Sequence, residues 1–153
     1  YMYEPSFGMP LLIRYPKAIK AGQKSSKLVQ NLDLAPTILD FVGAAIPADM
    51  QGTSLKTMMT ENPDVAWQKS IYYHYYQGTG WHHVPRHNGV STDRYKLIHF
   101  YDINDWELFD LETDPDEMHN LYGKPGFEEI TDELKTELKR LIVKYDDDTA
   151  VGV

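Results

Sequence analysis

Hydrophobic positions near the end of the chain recur at helical spacing. Phe127, Ile130, Leu134, Leu138, Leu141, Ile142 and Tyr145 form one apolar stripe. Glu128, Glu129, Asp132 and Glu133 gather at its start, and Lys139, Arg140 and Lys144 at its end. That order matches the partial charges of helix termini. The spacing predicts a helix lying across one face of a sheet, and the sheet is predicted just upstream. Segments 70–76, 89–92, 95–101 and 106–111 are rich in aromatic and β-branched residues, with turn chemistry at Asp93-Arg94 and residues 102–105. They read as a four-stranded antiparallel meander. Alternation within 95–101 puts Tyr95, Leu97, His99 and Tyr101 on one face and Lys96, Ile98 and Phe100 on the other. The tyrosines of 72–76 alternate likewise, so half are expected against the final helix.

The first part of the chain reads differently. Met9-Pro10-Leu11-Leu12-Ile13-Arg14-Tyr15-Pro16 is a continuous apolar run closed by prolines, which suggests a strand covered on both faces, as in a parallel sheet. No other segment offers it a matching partner. Residues 17–27 read as a loop. A helix comes next, with Asp33 as N-cap, Pro36 in the first turn and Gly43 placed just past the end. Strand and capped helix together make half an α/β unit. Residues 47–52 read as a linker and 54–60 as a short helix. The run Asp146-Asp147-Asp148 and the tail after it are expected to be disordered, and no internal repeat is visible.

Composition narrows the function classes. At 153 residues, with 42% hydrophobic and 25% charged positions, the chain has the make-up of a soluble globular domain. No apolar run approaches the ~20 residues that cross a bilayer. The start, Tyr1-Met2-Tyr3-Glu4-Pro5, has neither the basic nor the apolar region of a signal peptide, nor does it read as a natural N-terminus. Cysteine is absent, so the chain holds no disulfide, thiolate metal site or cysteine nucleophile. A net charge of −8 argues against general nucleic-acid binding and requires a local basic patch for any anionic ligand.

Such a patch lies in residues 72–87, YYHYYQGTGWHHVPRH, which carry Trp81, His82, His83, Arg86 and His87 around two glycines. Imidazoles beside an indole and a guanidinium suit an anionic, partly apolar-faced ligand such as a sulfated or phosphorylated sugar. Three readings stand: a transition-metal site, ordinary packing histidines, or a substrate-facing loop. His82 and His87 are five apart with Pro85 between them, which is not helical ligand spacing. His74 and His99 lie within strands and are expected to be packed. The acidic stretch 110–117 fails as an EF-hand because Pro115 stands where the loop needs glycine. It reads as a strand-to-turn-to-helix junction, with acidic side chains capping the next element. No phosphate cradle, G-x-S-x-G elbow or paired carboxylates appear, so the chain is unconvincing as a self-contained enzyme.

Taken together, the segments resemble the C-terminal part of bacterial sulfatases of the alkaline-phosphatase-like superfamily. The matching stretches are Met2-Tyr3-Glu4-Pro5-Ser6-Phe7 running into Pro10-Leu11-Leu12-Ile13-Arg14-Tyr15-Pro16, then Asn31-Leu32-Asp33-Leu34-Ala35-Pro36-Thr37 and Met50-Gln51-Gly52-Thr53-Ser54-Leu55. Gly89-Val90-Ser91-Thr92-Asp93-Arg94-Tyr95-Lys96-Leu97-Ile98, Trp106-Glu107-Leu108-Phe109-Asp110-Leu111 and Asp114-Pro115-Asp116-Glu117 with Asn120-Leu121 complete them. The resemblance implies an α/β fold, locally α+β. Residues 1–60 would be the tail of a large α/β domain, and 61–153 a subdomain of four antiparallel strands packed with a C-terminal helix.

It further implies a sulfatase that hydrolyses sulfate esters of a sulfated carbohydrate, using formylglycine and Ca²⁺. Both belong to an N-terminal domain upstream of Tyr1, so no catalytic residue or metal ligand is expected within this chain, which alone would be inactive. Its share would be recognition: His82 and His87 would contact the sugar, Trp81 would offer an apolar face, and Arg86 would supply positive charge. Ser91 and Gly8 stand where relatives commonly carry arginine, which removes two anion-binding forks. A periplasmic or secreted location is implied. The rival readings are a phosphodiesterase or phosphonate hydrolase of the same superfamily, and a free-standing carbohydrate-binding module. An oligomer is one way to cover the strand at 11–15.

Overall fold

A computed structural model describes residues 1–78 and 83–150. The elements in chain order are α1 (Glu4–Phe7), a 3-10 turn (Asn31–Asp33), α2 (Leu34–Phe41), α3 (Lys56–Thr60), β1 (Ser70–Tyr75), β2 (His87–Thr92), β3 (Tyr95–Phe100), β4 (Asp105–Asp110) and α4 (Glu128–Lys144). They form two compact units. One joins Tyr1–Pro10 to Ser70–Val153; the other is Leu11–Lys69. The first ten residues thus belong with the sheet rather than with the segment after them. No helix among the described residues is long and apolar enough to cross a membrane.

The sheet is the expected meander, antiparallel throughout in the order β1-β2-β3-β4. Register aligns Tyr72 with Val90, Val90 with Leu97, and Leu97 with Leu108 across the four strands. That row is the floor on which α4 lies. Leu134, Leu138, Leu141 and Tyr145 bury against Val90, Leu97 and Leu108, and the Tyr72 ring stacks on Tyr145. Each fully buried leucine contributes about 1.5–3 kcal/mol. The opposite face is covered by the start of the chain, where Met2 buries against Ile98, Phe100 and Phe109, with Tyr3 and Phe7 beside them. Gly89 permits that approach: a Cβ there would come within 2.5 Å of Met2 Sδ and 2.6 Å of the Leu97 carbonyl oxygen.

Lys96 stands in the middle of this second face and is fully buried. Its ammonium donates to the Met2 carbonyl at 2.9 Å and to Glu4 Oε1 at 2.6 Å. It lies 2.7 Å from Glu117 Oε1, an ion-pair contact without hydrogen-bond direction, and over the Phe7 ring. Tyr3 Oη donates to Glu107 at 2.7 Å and fixes the same segment.

Helix α4 ends with Asp146 at φ +51°. The Asp147 amide bonds the Ile142 carbonyl and the Asp146 amide the Val143 carbonyl, the paired pattern of a Schellman ending. The tail expected to be disordered starts within this ending, and its residues 151–153 lie outside the described residues. The helix ending orders residues 146–147, and the Asp147 carboxylate accepts from Tyr72, His74 and Thr149.

In the unit Leu11–Lys69, α2 ends as expected. Gly43 has φ +71°, and Ala44 and Gly43 donate to the carbonyls of Leu39 and Asp40. Its start differs. Asp33 does not cap α2; its carboxylate accepts from the Gln30 amide at 2.9 Å and the Thr53 amide at 2.8 Å. The larger correction concerns residues 9–16, which form no strand. A strand needs a paired edge, and every strand among the described residues belongs to the meander. Leu11, Leu12, Ile13 and Tyr15 are exposed, Leu12 at 94%. The α/β half-unit consists here of its helix alone.

Candidate functional site

Of the four residues expected to recognise substrate, Trp81 and His82 lie outside the described residues. The other two sit at the foot of the same loop. His87 opens β2 opposite Tyr75 and is fully buried. Tyr1, Tyr73 and Tyr75 stack on its ring at 5.8, 5.6 and 5.3 Å, and Phe100 lies 5.0 Å away, tilted. In the neutral ring Nδ1 donates to the Pro85 carbonyl at 2.9 Å, which leaves Nε2 as an acceptor, buried and without a partner among the described residues. Burial holds the ring below the usual histidine range, opposed by the Pro85 bond. His87 is therefore a neutral acceptor suited to a hydroxyl, not a cation that would attract sulfate.

Arg86 is half-exposed and already paired. Its amide and its guanidinium both donate to Asp102, the latter from Nε at 3.0 Å and Nη2 at 2.7 Å to Oδ1. These bonds hold the Asp102 carboxyl below the usual range. The same guanidinium lies over the Tyr101 ring at 5.3 Å. Tyr101 Oη and His74 Nε2 are 2.9 Å apart, and His74 Nδ1 is 2.6 Å from Asp147. Burial raises the Asp147 carboxyl, but the bonds from Thr149, His74 and Tyr72 outweigh it and leave that group below its ordinary range. His74 is thus packed, as expected for a strand histidine.

His99 is buried too, stacked on Trp106 at 3.9 Å, and burial first and Lys135 second push its ring down to about 4. The residues that sequence reasoning missed are Lys96, Asn88, Asp102 and Asp147. Lys96 carried a faint signal: it alternates with Ile98 and Phe100 on what proves to be an apolar face. Asn88, fully buried with both amide atoms unpartnered among the described residues, carried none.

Among the described residues no group of three or more histidines, cysteines, aspartates or glutamates could hold a metal ion. The acidic stretch 110–117 is spent internally. Asp110 pairs with Arg94 at 2.8 Å, Asp114 accepts from the Met118 and His119 amides, and Glu117 faces Lys96. It is a junction as expected, though turns rather than a helix come after it. Of the two departures from arginine, Ser91 is buried within β2. Gly8 follows α1 so closely that a Cβ would come within 2.4 Å of Glu4 Oε2.

This arrangement has counterparts. The chain is 47% identical over 150 residues to an N-acetylglucosamine-6-O-sulfatase of Bacteroides thetaiotaomicron, covering 96% of this chain and 27% of that protein. It is 33% identical over 152 residues to arylsulfatase K of Canis lupus familiaris, covering 92% and 27%. A structure solved in complex with its substrate D-glucosamine-2-N,6-O-disulfate superposes with a TM-score of 0.92 at 46% identity, covering 97% of this chain and 31% of that one. The chain spans about a quarter of the length of the curated relatives it matches. The family model described as N-sulphoglucosamine sulphohydrolase, C-terminal, matches residues 1–144. With nearly every residue of the sheet, both of its covering layers and the helical unit inside that match, the chain belongs to this C-terminal sulphohydrolase family.

Proposed function

We propose that the chain is the C-terminal segment of a sulfatase that removes sulfate from a sulfated amino sugar, and that it supplies recognition rather than the nucleophile. The observation that carries this reading is 47% identity across 96% of the chain to a 6-O-sulfatase of N-acetylglucosamine. A 6-sulfated glucosamine unit is accordingly the substrate class to test. Trp81, His82 and His87 form the recognition group in this reading, with Arg86 at the foot of their loop. His87 holds an uncharged acceptor, Nε2, that lies buried beneath Tyr1, Tyr73 and Tyr75 and would meet a sugar hydroxyl only once uncovered.

Formylglycine and Ca²⁺ would come from residues outside this chain, as the family resemblance implies. When bound, they supply the sulfate-attacking hydrate and its charge neutralisation. What this chain's residues do is bind and orient the sugar and shield its face from water. A periplasmic or secreted location goes with the family resemblance.

The test uses the intact protein, made in cells that generate formylglycine. It is supplied in turn with 6-O-sulfated N-acetylglucosamine, a 2-O-sulfated unsaturated uronate, an aryl sulfate and a phosphonate monoester. Sulfate release from the first at the highest kcat/KM is expected. Replacing His82 or His87 by alanine should raise KM for that sugar while mass spectrometry finds formylglycine formation unchanged, and residues 1–153 alone should show no turnover. Preference for the phosphonate ester, or unchanged kinetics in both histidine variants, would defeat the reading.

A further inference from the structure

The Arg86 guanidinium points away from the role its charge suggests. One of the two fork edges that could grip a sulfate in bidentate fashion, Nε with Nη2, is occupied by Asp102 Oδ1 at 3.0 and 2.7 Å, and Nε also reaches Oδ2 at 3.2 Å. Oδ2 in turn accepts the Arg86 amide at 2.9 Å. One carboxylate from the β3–β4 turn thus holds both the side chain and the backbone of residue 86. A carboxylate in that position also cancels the charge locally, so a second anion gains little from this cation.

The consequence runs one residue to each side. With the residue 86 amide held, the preceding Pro85 carbonyl is directed at His87 Nδ1, 2.9 Å away. That bond decides which imidazole nitrogen carries the proton, and so makes Nε2 an acceptor. On the other limb of the loop, a Cβ on Gly78 would meet Arg86 Cγ and Cδ at 3.3 Å. The Arg86 stem therefore lies against the Gly78 backbone and joins the two limbs at their base. Tyr101, under the guanidinium at 5.3 Å, is anchored through His74 to Asp147, so the platform beneath the pair is fixed as well.

We infer that Arg86 and Asp102 are positioning residues: together they close the base of the β1–β2 loop and set the His87 tautomer, and Arg86 is not itself an anion contact. The inference rests on the proposed function for its kinetic readout. In the intact enzyme acting on 6-O-sulfated N-acetylglucosamine, D102N and R86A should each raise KM by about 10-fold with kcat little changed, the scale of a slightly misplaced binding group. The double variant R86A/D102N should be no worse than either single one, because both remove the same constraint. A sulfate contact at Arg86 gives the opposite result: D102N would free the guanidinium and leave KM equal or lower, and only R86A would raise it. That outcome, or effects that multiply in the double variant, overturns the inference. A readout independent of turnover is the ¹⁵N shift pair of the His87 ring, assigned by comparison with H87A. The wild type should show Nδ1 protonated and Nε2 bare, and D102N a mixture. If no sulfate ester is hydrolysed but this shift appears, the proposed function fails and the positioning role stands. An unchanged tautomer in D102N defeats the positioning role.

Discussion

Lys96→Met tests the arrangement that holds the start of the chain on the sheet. Methionine keeps the length of the apolar stem and removes only the ammonium. The ammonium now meets three oxygens, the Met2 carbonyl and carboxylates of Glu4 and Glu117, in a place without solvent access. Glu117 has a side chain only 1% exposed, so it cannot turn to water without moving its turn, whereas Glu4, at 34%, can partly rehydrate. One stranded buried carboxylate is therefore the dominant cost, and removing one partner of a buried pair destabilises by about 3–5 kcal/mol. For a chain of this length each kcal/mol moves the melting midpoint by about 2–4 °C, so a drop of roughly 6–20 °C is expected. Thermal denaturation monitored by circular dichroism measures it. Hydrogen exchange should locate the loss, with the amides of Ser6, Phe7 and Gly8, which close the α1 turn, losing protection first. Adding Glu117→Gln should restore part of the loss, because it takes away the stranded charge. A Lys96→Met variant melting within 2 °C of wild type would refute the reasoning, and so would a double variant less stable than the single one.

Three further outcomes rest on the same kind of contact. His99, held down to about 4 by burial and then by Lys135, binds fewer protons folded than unfolded between about pH 6.5 and 4. Its contribution to stability is complete above pH 6.5 and lost as pH falls to 4; urea unfolding across that range should show the slope, and H99F should reduce it. Gly89→Ala should cost about 1–3 kcal/mol by urea unfolding, because the new methyl meets the Leu97 carbonyl, a backbone atom that cannot step aside. Gly52→Ala should destabilise the unit Leu11–Lys69 in the same way, since its Cβ would fall 2.0 Å from the Leu32 carbonyl; a Gly52→Ala variant that melts like wild type would show that the loop simply shifts.

Much of the sheet and its helix was legible because both are periodic. The period-2 alternation of 95–101 assigned each side chain to its face, and the helical stripe from Phe127 to Tyr145 named the residues that α4 buries. Gly43 announced the end of α2 because its positive φ suits glycine above all. Where the reading went wrong, a local signal lacked its partner. The run at 9–16 has the composition of a covered strand but no paired edge among the described residues. The three aspartates at 146–148 look like a solvated tail, yet the end of α4 turns Asp147 back onto β1. The candidate site was legible as a cluster of residue types, not as an arrangement. Nothing local tells that Arg86 is matched to Asp102 sixteen positions away, or that His87 lies under four rings, one of them Tyr1.

By itself the sequence determined the four strands, the final helix and the end of α2, the hand-off from helical to sheet periodicity near residue 70, and the resemblance that led to the family. These depend on spacings of two to four residues and on ordered short motifs, which are properties of the chain as written. Only the tertiary structure decided that the sheet is covered on both faces, that Lys96 is a buried anchor, and that the loop's one described arginine is neutralised. The last two depend on residues sixteen and more than ninety positions apart being brought within about 3 Å, and the first on apolar side chains from distant segments meeting on one sheet. Periodicity is silent about such meetings, because a side chain's charge and type do not name its partner; the packing of the whole sheet does.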